Sequence, residues 1–189
     1  MRITGGIHRG RPLKAPDGLD VRPTQDRVRE ALFNILMHDI AGARFLDLFA
    51  GCGSVGFEAI SRGAASVTMV ELDRRHVAYI RDNAARLKAD PEIVQGDAYQ
   101  YVSAYGSARG AFDIAFADPP YVLGEENGYA KLLGELAGRG VVRPGGLFIA
   151  EMVAHQHPED HAEWELCRDR EYGKTRIVVW RRRFPGEAG

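Results

Sequence analysis

Two hydrophobic periods divide this chain. Between Thr24 and Gly42, the residues Val28, Ala31, Leu32, Ile35 and Leu36 fall at i, i+3, i+4, i+7 and i+8. That stripe predicts an amphipathic helix with Thr24 as its N-cap and Gly42 as its stop. From Arg44 onward the pattern changes to short runs that read as strands: 45–50, 67–70 ending at Glu71, 92–95, 112–117 and 146–151. Helical patterning fills the gaps at 54–62, 74–88, 98–105 and 129–139, with Gly63 stopping the first of these. Residues 164–170 and 175–183 read as two further strands joined at Tyr172-Gly173. Alternating strands and helices predict an α/β protein, a mostly parallel sheet with helices on both faces, closed by an antiparallel C-terminal hairpin. Before Thr24 the chain is punctuated by Gly5-Gly6, Gly10, Pro12, Pro16, Gly18 and Pro23, with Ile3, Ile7 and Leu13 scattered between them. This stretch reads as a small hairpin or extended arm outside the core. The expected organisation is an extension over 1–42 followed by one domain over 43–189.

The chemistry concentrates at Asp118-Pro119-Pro120-Tyr121, directly after the apolar run 112–117. Open α/β sheets bind ligands at the carboxyl ends of their strands. Two prolines donate no N–H and stiffen the chain, so what remains is a carboxylate, carbonyls and an aromatic ring. That set suits a flat molecule bearing an exocyclic NH2: Asp118 and the Pro119 carbonyl accept its two hydrogens while Tyr121 stacks on its ring. Holding both hydrogens aims the nitrogen lone pair at an electrophile. Proline and aspartate are also ordinary turn residues, so these four positions do not decide the matter alone.

A second feature lies upstream. Gly51-x-Gly53-x-x-Gly56, with Glu71 twenty residues on, matches the dinucleotide fingerprint, so a nicotinamide-dependent oxidoreductase must be weighed. Asp47 argues against it. A carboxylate feeding the glycine turn is awkward beside a pyrophosphate, which needs only N–H groups. It suits a ligand with an ammonium group, and S-adenosylmethionine has one and no phosphate. Gly51 and Gly53 would let the backbone approach the methionine part. Glu71 would accept the ribose hydroxyls and Asp97 the adenine amino group. Asp47, Glu71, Asp97 and Asp118 thus close four successive strands with acids. Any one is commonly a cap or turn residue; the ordered series points to a ligand.

Charge adds a polyanion to the picture. The net charge is −1, which argues against whole-surface binding, but residues 1–29 hold seven Lys/Arg against three Asp, and 174–183 hold five with no acid. Basic ends around an acidic middle are a local footprint for nucleic acid, or else solubilising edge charges. Arg27 and Arg29 lie off the helical stripe and are expected to face RNA, a ligand or water. Cys52 and Cys167 are the only cysteines, which excludes a disulfide scaffold and an all-cysteine zinc site. The sequence shows no signal peptide and no apolar run of membrane-spanning length, and a cytoplasmic protein is expected. His155, His157 and His161 with Glu159 and Asp160 read as a solvated connection, because Pro158 breaks any helical spacing and no cysteine joins them. Trp164, Trp180, Tyr99, Tyr101 and Tyr105 read as packing residues.

At this point a resemblance emerges. The stretch 45–53 resembles motif I of class I S-adenosylmethionine-dependent methyltransferases, and Asp118-Pro119-Pro120-Tyr121 resembles motif IV of their amino-methylating branch. Ile3-Thr4-Gly5-Gly6, Arg9-Gly10-Arg11, the run from Arg22-Pro23-Thr24 to Leu36, the stretch 58–64 and Tyr172-Gly173-Lys174-Thr175 resemble the bacterial RsmD-type 16S rRNA guanine-N2 methyltransferases over nearly the whole chain. The resemblance implies a Rossmann-like three-layer sandwich with strand order 3-2-1-4-5-7-6 and methyl transfer to N2 of one guanine in 16S rRNA. It implies an assembling small subunit as substrate, no metal, no membrane, and a monomer. It assigns Thr24, Asp47, Phe49, Ala50, Gly51, Gly53, Glu71, Leu72, Asp97, Ala98 and Asp118 to the cofactor, with S-adenosylhomocysteine as product. It assigns Asp118, Pro119, Pro120 and Tyr121 to catalysis, and Arg9, Arg11, Lys14, Arg22, Arg27, Lys174 and Arg176 to RNA. Cys52 stands where the family often has serine, and the acidic stretch 122–127 departs from the pattern. The alternatives are a DNA adenine or cytosine methyltransferase, which usually carries a recognition domain too large for this chain, and a non-catalytic RNA-binding assembly factor.

Overall fold

A computed structural model describes residues 1–16, 23–106, 109–119, 121–158 and 160–186, with the side chains of 23–25 and 121–128 outside that description. Arg22 and Pro120 therefore lie outside the described residues, as do the Thr24 and Tyr121 side chains. Twelve elements follow in order: α1 (Pro23–Ile35), β1 (Arg44–Asp47), α2 (Ser54–Ser61), β2 (Ser66–Glu71), α3 (Arg74–Leu87), β3 (Glu92–Gln95), α4 (Ala98–Ser103), β4 (Phe112–Ala117), α5 (Tyr121–Gly138), β5 (Val142–Val153), β6 (Trp164–Tyr172) and β7 (Thr175–Arg182). The sheet has seven strands in the order β3-β2-β1-β4-β5-β7-β6. β5–β7 and β6–β7 are antiparallel and the described pairs β1–β2, β2–β3 and β4–β5 are parallel. The α/β architecture and its antiparallel end are those the alternation predicts. Two compact units divide the chain, Met1–Ala98 and Tyr99–Gly189; residues 1–42 are not set apart from the first.

In the first unit, Phe45, Leu46, Met69 and Val70 on β1 and β2 are fully buried, as are Phe33 and Leu32 of α1. Each fully buried side chain of this size stabilises the fold by roughly 1.5–3 kcal/mol before entropy is counted. The arm takes the hairpin form that was one of its two expected forms but, against expectation, contributes to the core. It is a tight hairpin, closed by an antiparallel bridge between Arg2 and Pro12 and by Gly10 N–H donating to the Ile3 carbonyl at 2.8 Å. Ile3 and Leu13 are buried core residues, and only Ile7 stands out in solvent, 83% exposed. The sparse apolar residues of this stretch alternate across the hairpin, so they share a face only once it has folded. That hairpin is bolted to α2. The Glu58 carboxylate, wholly buried, accepts from Thr4 N–H, Thr4 Oγ1 and Gly5 N–H, each at 2.8 Å. Arg62 Nε also donates to it at 2.8 Å.

Helix α1 begins at Pro23, one residue before the expected cap, so Thr24 is inside the helix. Proline at a first helical position costs no hydrogen bond and presets φ. Helix α4 ends at Ser103, short of the expected 105.

In the second unit, Phe148 of β5 stacks on Trp180 of β7 at 5.6 Å and meets Trp164 edge-on at 6.1 Å. The Trp164 indole N–H donates to the Leu133 carbonyl of α5 at 2.9 Å. Both tryptophans are core residues, as expected. Two boundaries move. Helix α5 starts at Tyr121, not near 129, and absorbs the acidic stretch 122–127. β4 ends at Ala117 and the next helix begins at Tyr121; Gly124, Asn127 and Gly128 hid this by their poor helix propensity. Strand β5 starts at Val142, and its register against β4 slips between Phe112 and Ile114. The Arg143-Pro144-Gly145 turn survives there as a bulge, with Gly145 at φ +75°.

Candidate active site

The first unit supplies a glycine turn braced by carboxylates. β1 delivers Asp47 at its last residue, 1% exposed, and Oδ2 accepts from the Gly56 N–H of α2 at 3.1 Å. Asp47 therefore fixes the start of that helix as well as placing negative charge beneath the turn. Glu71 closes β2. Its Oε2 accepts from Gly51 N–H and its Oε1 from Asp73 N–H, both at 2.7 Å. Each carboxylate oxygen carries a second lone pair, so Glu71 holds the turn and retains capacity for two hydroxyl donors. Asp97 follows β3 at intermediate exposure, directly before Ala98, which is buried. Leu72, beside Glu71, is 64% exposed, an apolar surface next to a polar rim.

The glycines divide by role. A side chain at Gly51 would meet nothing within 4 Å, although its φ of +56° disfavours one. At Gly53, φ is +85° and a Cβ would lie 2.6 Å from the Phe57 ring and 3.2 Å from Met69 Sδ. The open approach expected of both glycines belongs to Gly51; Gly53 is demanded by the turn and by packing. Gly53→Ala is expected to destabilise the fold by roughly 2–4 kcal/mol, from left-handed strain and overpacking together. A urea titration with unchanged m-value checks this. Cys52 is buried, and burial pushes its thiol pKa up, so it behaves as a small apolar residue. Its carbonyl accepts from Asn83 Nδ2 at 3.2 Å, and the same Asn83 exchanges two hydrogen bonds with the Lys14 backbone. One buried amide thus ties the arm to the glycine turn.

The second unit holds a recess of its own. Asp118, Pro119, Tyr129, Glu151, Met152, Val153, Gln156 and Thr175 line a small recess, with space for about one water molecule. Asp118 reaches solvent through its mouth, yet burial against the surrounding atoms raises its carboxyl to about 6. The wall of atoms outweighs the open mouth, because solvent confined to so small a space solvates a charge poorly. Burial, then the Asp118 charge, raise Glu151 to about 8. Two carboxyls in one poorly solvated recess resist ionising together and share a proton around neutrality. Tyr129 donates its hydroxyl to the Glu151 carbonyl at 2.7 Å, and burial pushes its pKa up. Glu151 ends the apolar run 146–151, two residues before β5 itself stops; extending the acid series by one strand finds it.

The basic residues separate as sharply. Arg9, Arg11, Lys14, Arg27 and Lys174 are exposed; Arg11 donates to the Arg86 carbonyl at 3.1 Å and Lys14 pairs with Asp82 at 2.6 Å. Arg176, expected to meet RNA, is buried: it pairs with Asp169 at 3.0 Å and with Glu171, and donates to the Ala154 carbonyl. β7 is buried without a break from Arg176 to Trp180, and two acids of β6 neutralise the guanidinium there. Arg29 is likewise buried, paired with Asp26 at 2.9 Å and lying 3.4 Å from Glu58. Among the described residues no group of three His, Cys, Asp or Glu is placed to hold a metal ion, and no helix is long and apolar enough to cross a membrane.

Comparison with known proteins adds a lineage. The family described as Conserved hypothetical protein 95 matches residues 1–181. Ribosomal RNA small subunit methyltransferase D of Escherichia coli strain K12 is 36% identical over 192 residues, covering 100% of this chain and 93% of that protein. The protein of the same name from Haemophilus influenzae is 33% identical over 184 residues, covering 96% and 92%. Among solved structures, that of the yhhF protein of Escherichia coli superposes with a TM-score of 0.86 at 36% identity, covering 97% of this chain and 98% of that one.

Proposed function

From the premise that the chain belongs to the Conserved hypothetical protein 95 family, we propose a definite reaction for it. The chain is an S-adenosylmethionine-dependent methyltransferase, and its acceptor is the exocyclic N2 amine of one guanine in small-subunit rRNA. The observation that carries the choice of an amine is the Asp118-Pro119 corner: a solvent-reached carboxylate at the end of β4, followed by a residue with no N–H. The proposal extends to the assembling small subunit as substrate, a monomeric enzyme and the cytoplasm as its compartment.

The residues present fit the cofactor. The turn at Gly51 is open to close approach, Glu71 keeps two lone pairs for ribose hydroxyls, and Leu72 offers an apolar face to a purine. Asp47, Phe49, Ala50, Gly51, Gly53, Asp97 and Ala98 would complete its shell, with Thr24 near its methionine end. When bound, the cofactor supplies an electrophilic methyl group on a sulfonium. The protein's part is to hold and orient the amine, which contributes up to roughly 7–11 kcal/mol for well-aligned partners. Asp118 and the Pro119 carbonyl accept the amine hydrogens, Tyr121 stacks on the base, and Pro120 keeps the corner rigid. A nitrogen that gains a carbon must lose a proton, and ionised Asp118 is the acceptor for it. Glu151 keeps that acceptor available by carrying the proton the pair shares. Arg9, Arg11, Lys14, Arg27 and Lys174 would meet the RNA backbone.

A pH dependence follows. Asp118 accepts hydrogens only when ionised, so activity falls as pH drops and the pair gains its second proton. We expect kcat/KM to rise with pH through about 6, and Glu151→Gln to leave that inflection in place, because Glu151, pushed up to about 8, is already neutral there. A pH–rate profile of both proteins checks it. The function itself is tested by nucleoside mass spectrometry of rRNA from a strain lacking the gene. Loss of one N2-methylguanosine, restored by the wild-type chain, is the expected result; loss of N6-methyladenosine would favour an adenine acceptor.

A further inference from the structure

Helix α3 carries a basic face that neither the acid series nor the arm explains. Arg74 and Arg81 are spaced seven residues apart and exposed, which stacks them along one line of the helix about 10 Å apart, and Lys88, seven further on, is the exposed, left-handed residue that caps the helix C-terminus. Between them on the same line stand Ala78 and Ala85, also exposed. Methyl-sized side chains keep the surface low between cations, so a bulky, evenly charged strand meets no obstruction there. The arm runs beside this line. Arg11 donates to the Arg86 carbonyl at 3.1 Å, Lys14 pairs with Asp82 at 2.6 Å, and buried Asn83 clasps the Lys14 backbone. The acids at the helix are already paired: Lys14 of the arm takes Asp82, and Asp73 caps the helix while Arg75 pairs with it at 2.7 Å. Asp90, past the C-terminus, is exposed.

We propose that α3 and the arm form one continuous RNA-docking surface, in which Arg74, Arg81 and Lys88 follow the sugar-phosphate backbone of the rRNA substrate. The inference rests on the rRNA reading given above and adds to it where the RNA lies. Cations spaced along a helix, with low ground between them, suit phosphates, which position a nucleic acid without reading its sequence. The arm is rigid enough to share that work, since Glu58, Ser61 and Asn83 all hold its backbone.

The test uses the full-length protein with all three positions neutralised, Arg74→Gln, Arg81→Gln and Lys88→Gln. Binding to unmodified 16S rRNA is measured across salt concentrations, alongside calorimetry with S-adenosylmethionine. Each lost phosphate contact lowers the slope of log Kobs against log salt by about 0.7–0.9, so a loss of about two units is expected. The rRNA KM should rise with kcat and cofactor affinity unchanged, and the charge-keeping pair Arg74→Lys with Arg81→Lys should restore the wild-type slope. A triple variant with the wild-type slope would overturn the docking surface while leaving the methyltransferase reading intact. Wild-type protein with no salt-dependent affinity for rRNA would overturn that reading and the surface with it.

Discussion

Asp118→Ala is expected to lower turnover at least about a hundredfold, the cost typical of removing one preorganised polar group from a reacting centre. Cofactor affinity should change little, because the groups that fit the cofactor lie at β1, β2 and β3, and those of β1 and β2 are held by backbone contacts of their own. Asp118→Asn is the sharper companion. It keeps size and one carbonyl acceptor but cannot take a proton, so it should bind rRNA normally and still turn over slowly. Single-turnover transfer of a tritiated methyl group, with calorimetry on the same samples, separates the two quantities. A loss of cofactor binding equal to the loss of rate would move Asp118 from the acceptor side to the cofactor shell.

The second large effect lies far from any reacting atom. Glu58→Ala removes the carboxylate that receives Thr4, Gly5 and Arg62 and faces Arg29 at 3.4 Å. Arg29 would keep Asp26 and the Arg2 carbonyl, but lose the partner buried beneath it. Breaking a buried pair from one side typically costs about 3–5 kcal/mol. The retained partners place the expected loss at about 3 kcal/mol, with rRNA affinity falling as the arm loosens. Denaturant unfolding of Glu58→Ala beside Glu58→Gln, which keeps a hydrogen-bond acceptor and should lose less, checks both size and cause.

Much of this was legible in the sequence where the forces are local. Strands β3 and β4 run over the residues their patterns predict, because glycine and proline bound them and the apolar run of β4 has one place to go. The acid series is legible for the same reason, since each acid stands where a strand stops. Legibility fails where a partner arrives from far along the chain. Arg29 and Arg176 look like any exposed basic residue until Glu58, Asp169 and Glu171 are folded against them. The arm looks like loop until Ile3 and Leu13 face the same way. Residues 122–128 look like loop because two glycines and an asparagine outweigh their neighbours locally, while the helix they join is set by Leu132, Leu133 and Leu136 further on, all fully buried. Glu151 was visible as a strand-end acid, but its pairing with Asp118 in one recess is a property of the fold.

The most direct trial of the account is transfer from labelled S-adenosylmethionine to small subunits isolated from cells lacking this gene, followed by digestion to nucleosides. The account predicts a single labelled product, N2-methylguanosine, formed by the wild-type chain and absent with Asp118→Ala. Label in a ring-carbon-methylated or 2′-O-methylated nucleoside, or undiminished label with the variant, would contradict it.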